Sequence, residues 1–401
     1  MIVPWPKVRI DSLGNVQAGR QRSASIVAGT PRPYLRVANV FDGFVDYRDV
    51  LQMPFTDAEF RIYSLKPGDI LLNEGQSLEL VGRSAIYEGP ANTYCFQNTL
   101  VRFRPSEKVD TAYAQIAFQH MLFTGVFASI ASRTTSIAHL GVERFASLHI
   151  PLPPIAEQRA IARVLSAWDR GIRQLSDLIT AKLRFKQGLM QQLLTGRRRF
   201  KEFGDEWQTV HLKDVAEECE ERNRGRLGTD SVMAVKKAEG IVPMRERTIA
   251  ADIDRYSVVK KDYFAYNPMR LNIGSIARWS GDRDVLVSPD YVVFHCKKAT
   301  EGRPAIDTGF LDQYRRSSLW ERYVTSSGNG SVRVRIYFSD LGGMKLNLPS
   351  MPEQRKIAAT LNAADREIDL LRKERGILKT QKKGLMQKLL TGQMRVASGG
   401  R

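Results

Sequence analysis

Apolar residues recur along two stretches of this chain with the four-three spacing of a heptad seam. In the first, Ile161, Leu165, Trp168, Ile172, Leu175 and Ile179 follow that spacing, and Leu189 and Leu193 resume it. In the second, Ile357, Leu361, Ala364, Ile368, Leu371 and Leu378 do so, followed by Leu385 and Leu389. A 3.5-residue period on one face predicts a long helix of coiled-coil type. Pro154 and Pro352 precede the two stretches as start signals, and Gly196 and Gly392 follow them as stops. At 1.5 Å per residue each helix spans roughly 55–60 Å.

The two stretches are copies of one another. Residues 157–196 and 353–392 align without a gap at an offset of 196, and 20 of the 40 positions are identical. Each opens with Glu-Gln-Arg (Glu157-Gln158-Arg159 and Glu353-Gln354-Arg355) and closes with Gly-Leu-Met-Gln-x-Leu-Leu-Thr-Gly. Charge interrupts both seams, at Lys182 and Lys186 in one and at Arg375 and Lys382 in the other. Such residues weaken a seam while fixing its register and partner. Any packed helix accounts for one leucine stripe. Two copies separated by long unlike segments point to a paired spacer.

The pattern outside the helices is shorter in period. Trp5 to Ile10 reads as an opening strand, echoed by Glu206 to Leu212, so the repeat covers both halves of the chain. Alternation predicts a strand at Tyr34 to Val40. Lys66-Pro67-Gly68-Asp69 reads as a turn, Ile70 to Leu72 as a buried strand and Asn73 to Ser77 as a polar loop. Further strands are expected at Val81 to Tyr87 and Thr99 to Phe103, a helix at Ala112 to Phe123 and a basic polar loop at Ser132 to Ser136. In the second half Ser257 to Tyr266 reads as strand, turn, strand, and Asn267 to Gly274 as a loop with backbone freedom. Ser326 to Ser331 reads as a flexible loop, and Val332 to Ile336 alternates so that Arg333 and Arg335 share a strand face. Beyond the opening strand the two variable segments do not align. The fold class expected is α+β, in two tandem pseudo-repeats, each a mixed α/β globular segment followed by a long helix. The boundaries are 1–152 and 197–348 for the globular segments, 153–196 and 349–396 for the helical spacers, and 397–401 for a frayed tail.

Composition narrows the function. The 401 residues suffice for two or three domains, and 43% hydrophobic content is ordinary for a folded protein. A net charge of +18 and a pI near 9.9 point to a polyanionic partner, nucleic acid first, with acidic lipid or a merely solvated basic surface as the other readings. Cys95, Cys219 and Cys296 lack the spacing of a zinc site or a disulfide framework. The start Met1 to Pro6 has no basic region followed by an apolar run, and the most apolar window, Ala112 to Ala131, is interrupted by Gln115, Gln119 and His120. A reduced, cytoplasmic location is the expectation.

No reaction centre emerges. Phosphate-loop, dinucleotide and nucleophile-elbow glycine motifs are missing, and the five histidines have no metal spacing. Asn267-Pro268-Met269-Arg270 matches the Asn-Pro-Pro-Tyr signature of amino-methyltransferases at two positions but lacks the second proline and the stacking aromatic. The chain reads as a recogniser and organiser without a catalytic step or metal of its own.

The run Pro151 to Arg159, the closing nonapeptide of each helix and the tandem layout together resemble the specificity subunit of type I restriction-modification systems. The likeness extends over the whole chain, with weaker support at Lys66 to Gly75, Thr134 to Leu140 and Tyr266 to Ser275. It implies that each globular segment is a target-recognition domain reading half of a split, asymmetric DNA site. It also implies that the helices pair antiparallel and dock two adenine-methyltransferase subunits and, through them, restriction subunits. S-adenosylmethionine would then sit on the partner, with no cofactor in this chain. Under that reading Lys and Arg hold phosphates while Arg, Asn, Gln and Ser in loops read base edges. The candidates are Arg36, Asn73, Gln76, Arg83, Arg133, Thr134 and Ser136, then Lys236, Arg270, Asn272, Arg278, Asn329 and Arg333. Rival readings are a DNA-binding regulator or coiled-coil scaffold that recruits no methyltransferase, and a subunit serving methylation alone.

Overall fold

The computed structural model describes residues 5–21, 28–133, 136–237, 239–326 and 335–396. The chain divides into two units, residues 1–176 with 373–401, and residues 177–372. Each unit contains one globular segment and a part of both long helices, Ile155–Leu193 and Met351–Leu390.

The first unit is built on a four-stranded antiparallel sheet in the order Gly14–Ala18, Leu100–Pro105, Ile70–Asn73, Ser84–Ile86. Ile70 and Leu72 face one core with Phe103, Phe118 and Phe145, while Leu71 faces another with Leu35, Tyr87 and Phe96. Burial on both faces explains the unbroken apolar run Ile-Leu-Leu after the Pro67-Gly68 turn. The helix Thr111–Phe123, capped by Asp110, covers the sheet, and Gln115 Nε2 donates to the Ser84 carbonyl at 2.9 Å. The opening strand, Lys7–Arg9, pairs with His149–Pro151.

The second unit repeats this plan. Its four-stranded sheet runs Ala216–Glu218, Val292–Cys296, Phe264–Tyr266, Ile276–Arg278, its opening strand Gln208–His211 pairs with Lys345–Leu348, and its helix Thr308–Tyr314 is capped by Asp307. The two variable segments therefore share strand order despite their unlike sequences. Ser257–Val259 pairs with Val285–Val287, outside this sheet.

The long helices pair antiparallel within each unit. In the first, Lys382 Nζ donates to Asp169 at 2.6 and 2.7 Å; in the second, Lys186 Nζ donates to Asp365 Oδ1 at 2.6 Å. Two charged interruptions of the seam are thus cross-helix pairs, and Lys182 adds a third with Glu367 at 2.6 Å. Of the seam positions, Ile161, Leu165, Ile179, Leu193, Ile357, Leu361, Ile368 and Leu389 are buried. Trp168, Ile172, Leu175, Leu189, Ala364, Leu371, Leu378 and Leu385 are half-buried. A single partner helix covers one stripe; toward the helix ends the globular segments add cover, as Ile161, Leu165 and Leu389 join the first core and Leu193, Ile357 and Leu361 the second.

The Glu-Gln-Arg motif ties each helix to its globular segment. Gln158 accepts from the Asp110 N–H at 2.8 Å and donates to Pro153 and Lys108 carbonyls; Gln354 accepts from the Asp307 N–H at 2.8 Å and donates to Pro349 and Ala305 carbonyls. Glu353, with no solvent exposure, receives a two-pronged bond from Arg199, and Glu157 faces Arg395 at 3.4 Å. Gly196 and Gly392 end the helices at φ of 71° and 74°, where a side chain would be strained, and the rings of Trp207 and Trp5 lie against them.

Two sequence expectations are corrected. The strand read at Tyr34 to Val40 ends at Leu35, and Val37–Asn39 forms a 3-10 turn. The buried Asn39 side chain draws the chain round by accepting from Arg36 N and donating to the Asp46 and Asp49 carbonyls. The loop at Asn267 to Gly274 is a tied turn rather than a free one, as described below. The start Met1 to Pro4, the alternation at Val332 to Val334 and the tail Ala397 to Arg401 lie outside the described residues. Ala112 to Ala131 forms two helices, and among the described residues no helix is long and apolar enough to cross a membrane.

Candidate nucleic-acid interface

In both units the strand at the centre of the sheet leads through one loop to the edge strand, and that loop carries Gln76 and Arg83 in the first unit and Arg270 and Asn272 in the second. In the first unit it runs over residues 74–83. Gly75–Gln76 pairs with Ala138–His139, which pairs in turn with Ser132–Arg133. The register places Gln76, Ala138 and Arg133 in one row across three strands. The Leu140 N–H donates to the Glu74 carbonyl at 2.8 Å. In the second unit the loop covers residues 267–275, and the Ile336 N–H donates to the Pro268 carbonyl at 3.1 Å. Leu140 and Ile336 each precede the strand that pairs with the opening strand of their unit, so a corresponding bond fastens the loop in both.

The candidate residues divide by environment. Arg133 and Ser136 are exposed at the rim of the first loop, and Arg270 and Asn272 are exposed on the second. Gln76 is half-buried, its side-chain carbonyl accepting from Ser77 N at 3.1 Å. Arg83 lies 4.9 Å above the Phe41 ring, and burial lowers its pKa against the pull of Asp42. Arg36 is held by Asp49 at 2.5 Å, Lys236 by Glu239 at 3.0 Å, and Arg278 stands 3.8 Å from Asp262. Asn73 is a correction. It is the last residue of the central strand, fully buried, with Nδ2 turned to the Val40 carbonyl at 3.5 Å, and it offers no edge to a ligand in this conformation. Thr134, Asn329 and Arg333 lie outside the described residues.

Side chains that are not among the candidate readers share these loops. Met269, Ile273 and Tyr337 are exposed in the second unit, with Arg335 donating to the Tyr337 hydroxyl at 3.4 Å; Leu80 and Ile137 are exposed in the first. The signal that could have found Met269 and Ile273 was their position on either side of Leu271, which is buried together with Pro268.

The surface has charge and hydrogen-bond donors. Among the described residues no group of three His, Cys, Asp or Glu is placed to hold a metal.

Comparison with known proteins agrees with this architecture. The profile of the type I restriction modification DNA specificity domain matches residues 2–183. The chain is 26% identical over 388 residues to a putative type I restriction enzyme MjaX specificity subunit of Methanocaldococcus jannaschii, covering 91% of this chain and 87% of the relative. It is 25% identical over 399 residues to the type I restriction enzyme MjaVIII specificity subunit of the same organism, covering 91% and 89%. The fold is similar to that of the type I restriction-modification S subunit from M. genitalium, with a TM-score of 0.54 at 16% identity over 96% of both chains. It is likewise similar to a chain from a structural study of complex assembly and conformational transition of the type I R-M system, with a TM-score of 0.59 at 14% identity over 98% of both. With its duplicated helices, its repeated sheet and these relatives, the chain is similar to type I restriction-modification specificity subunits, and its residues 2–183 match their DNA specificity domain.

Proposed function

We propose that this chain is the DNA-reading subunit of a type I restriction-modification complex, each unit reading one half of a bipartite, asymmetric site. The observation that carries the reading is the duplicated loop, presented at the same edge of the same sheet in two units of unlike sequence, in a chain of net charge +18. Equal scaffolds with unequal loops suit two different half-sites on one duplex. The cation excess suits the phosphate contacts that supply most of the affinity of such proteins. Remaining donors in the loops then discriminate bases.

The chain performs no chemistry in this account. Methyl transfer belongs to two partner methyltransferase subunits, which carry the S-adenosylmethionine, and cleavage to restriction subunits recruited through them in the cytoplasm. The paired helices serve as the spacer between the half-sites.

Three measurements test this. Sequencing of methylated adenines in the host, with and without the intact chain, should reveal a split motif that depends on it; failure of the chain to co-purify with a methyltransferase would leave a regulator or scaffold instead. Inserting one turn in either helix should alter the spacer between the half-sites, and an unchanged spacer would remove the helices from that role.

A further inference from the structure

The loop Asn267 to Gly274 exposes four side chains, Met269, Arg270, Asn272 and Ile273, around two buried anchors, Pro268 and Leu271. Met269 is 54% exposed and Ile273 57%, high values for apolar side chains in ordered backbone. The loop is not loose. Asn267 Oδ1 accepts from the Met269 N–H at 2.9 Å, and Arg270, Gly274 and Ser275 N–H groups donate to the carbonyls of Asn267, Leu271 and Arg270 at 3.0, 2.9 and 3.0 Å. The apolar pair is therefore held outward by a built turn.

The company these residues keep indicates what they meet. A protein partner would call for an apolar centre with charge at the rim. Here the order is inverted: an arginine and an asparagine stand between the apolar pair, and Arg335 follows close by on the segment bonded to Pro268. Arginine pairs with guanine O6 and N7, and asparagine with adenine N6 and N7, both on the major-groove edge. On that edge the apolar group a base pair offers is the thymine C5-methyl. The minor groove has none, and wedging apart a base step there costs a few kcal/mol of unstacking.

We propose that Met269 and Ile273 pack on thymine C5-methyl groups in the major groove of the half-site read by the second unit, so that this loop selects thymine by methyl contact as well as by hydrogen bonds. The inference rests on the reading that each unit takes one half-site. The equivalent loop of the first unit exposes Leu80, so the device has a counterpart there.

The test replaces thymine by uracil, which removes the methyl and nothing else, one position at a time in both half-sites of a duplex bound by the chain with its methyltransferase partner. The wild-type complex should bind about fourfold more weakly at one or two uracils within one half-site, the equivalent of ~0.8 kcal/mol for a buried methyl or methylene group. The double variant Met269→Ala, Ile273→Ala should bind thymine and uracil duplexes equally there and keep the wild-type response in the other half-site. Ile273→Ser, a second surface change, should lower the discrimination in the same place. Thymine-uracil indifference throughout, a half-site without thymine, or variants with undiminished discrimination overturns the proposal. Variants that lose the methyltransferase while keeping the discrimination mark a protein contact and overturn it too. A wild-type complex without sequence preference would instead sink the parent reading, and this one with it.

Discussion

Lys186 donates to Asp365 across the helix pair at 2.6 Å, and its repeat equivalent Lys382 donates to Asp169 at the same distance. When two copies of one helix pair antiparallel, each contact occurs twice with the copies exchanged. The repeat therefore specifies its own register. A shift by one residue would leave two lysines facing apolar seam positions.

Reversing one of these pairs tests that role. The Lys186 side chain is 9% exposed and that of Asp365 29%, so each single change, Lys186→Asp or Asp365→Lys, sets like charges together at a mostly buried site. Each should cost about 1–3 kcal/mol, below the full buried-pair value because Asp365 reaches solvent. The double reversal should recover most of the loss. Chemical denaturation of the four chains measures the coupling, and additive losses would mean that the pair does not set the register.

The same pair has a pH signature. Burial by itself pushes the Asp365 carboxyl up, but hydrogen bonds from Lys186 and Gln313 and the charges of Lys186 and Arg316 outweigh it and hold the pKa below the ordinary 3.8. The unfolded chain then binds a proton at Asp365 before the folded chain does, so stability falls on acidification. The contribution is complete above pH 3.8 and is lost as pH falls through the depressed folded value. Thermal unfolding of wild type and Asp365→Asn should differ at pH 7 and converge below pH 3.8. A difference that stays constant to pH 2.5 would mean the carboxylate is not held by these partners.

Gln354 shows why an amide, and not a carboxylate, follows the glutamate in each copy of the motif. Its oxygen accepts from Asp307 N while its nitrogen donates to Ala305 and Pro349 carbonyls, all at 2.8–3.0 Å, and the side chain is 1% exposed. Glutamate would bring oxygen against two carbonyls in a dry site. Gln354→Glu should destabilise by roughly 2–4 kcal/mol, more than Gln354→Ala per hydrogen bond lost, because it buries an unmatched charge. Denaturant midpoints for these variants and for the Gln158 pair decide it; equal costs for Glu and Ala would show that the amide donors matter little.

The long helices were legible because a 3.5-residue period over about forty residues, stated twice, leaves little else to fit. The shared sheet was not. Ile70–Asn73 and Phe264–Tyr266 occupy the same place, yet a strand buried on both faces asks only for bulk and apolarity, so their sequences drift apart. The polar seam positions were read as weaknesses with a purpose, but their partners lie 179 and 213 residues away and follow only once the register is fixed. Asn73 was misplaced because a polar residue after Ile-Leu-Leu looks like the start of a loop, whereas it closes the strand from inside. Glu353 opens a helix as an exposed carboxylate would, and is buried because Arg199 arrives from a distant turn.

Arg270 and Lys236 belong to the same unit and carry the same charge, yet they should behave differently on DNA. Arg270 is exposed on a tied loop and has no ion-pair partner among the described residues, so its guanidinium is free to meet a base edge in fixed geometry. Lys236 already faces Glu239 at 3.0 Å, and an ammonium is a flexible point charge suited to a phosphate. Arg270→Ala should then relax one base-pair position of one half-site, costing about 1–3 kcal/mol on the preferred sequence and much less on others. Lys236→Ala should weaken all sequences alike and reduce the slope of log affinity against log salt by about 1. Binding of both variants to a half-site library across a salt series separates the roles. A uniform loss with Arg270→Ala would move that residue from the bases to the backbone, leaving Asn272 to carry the hydrogen-bonded discrimination of its loop.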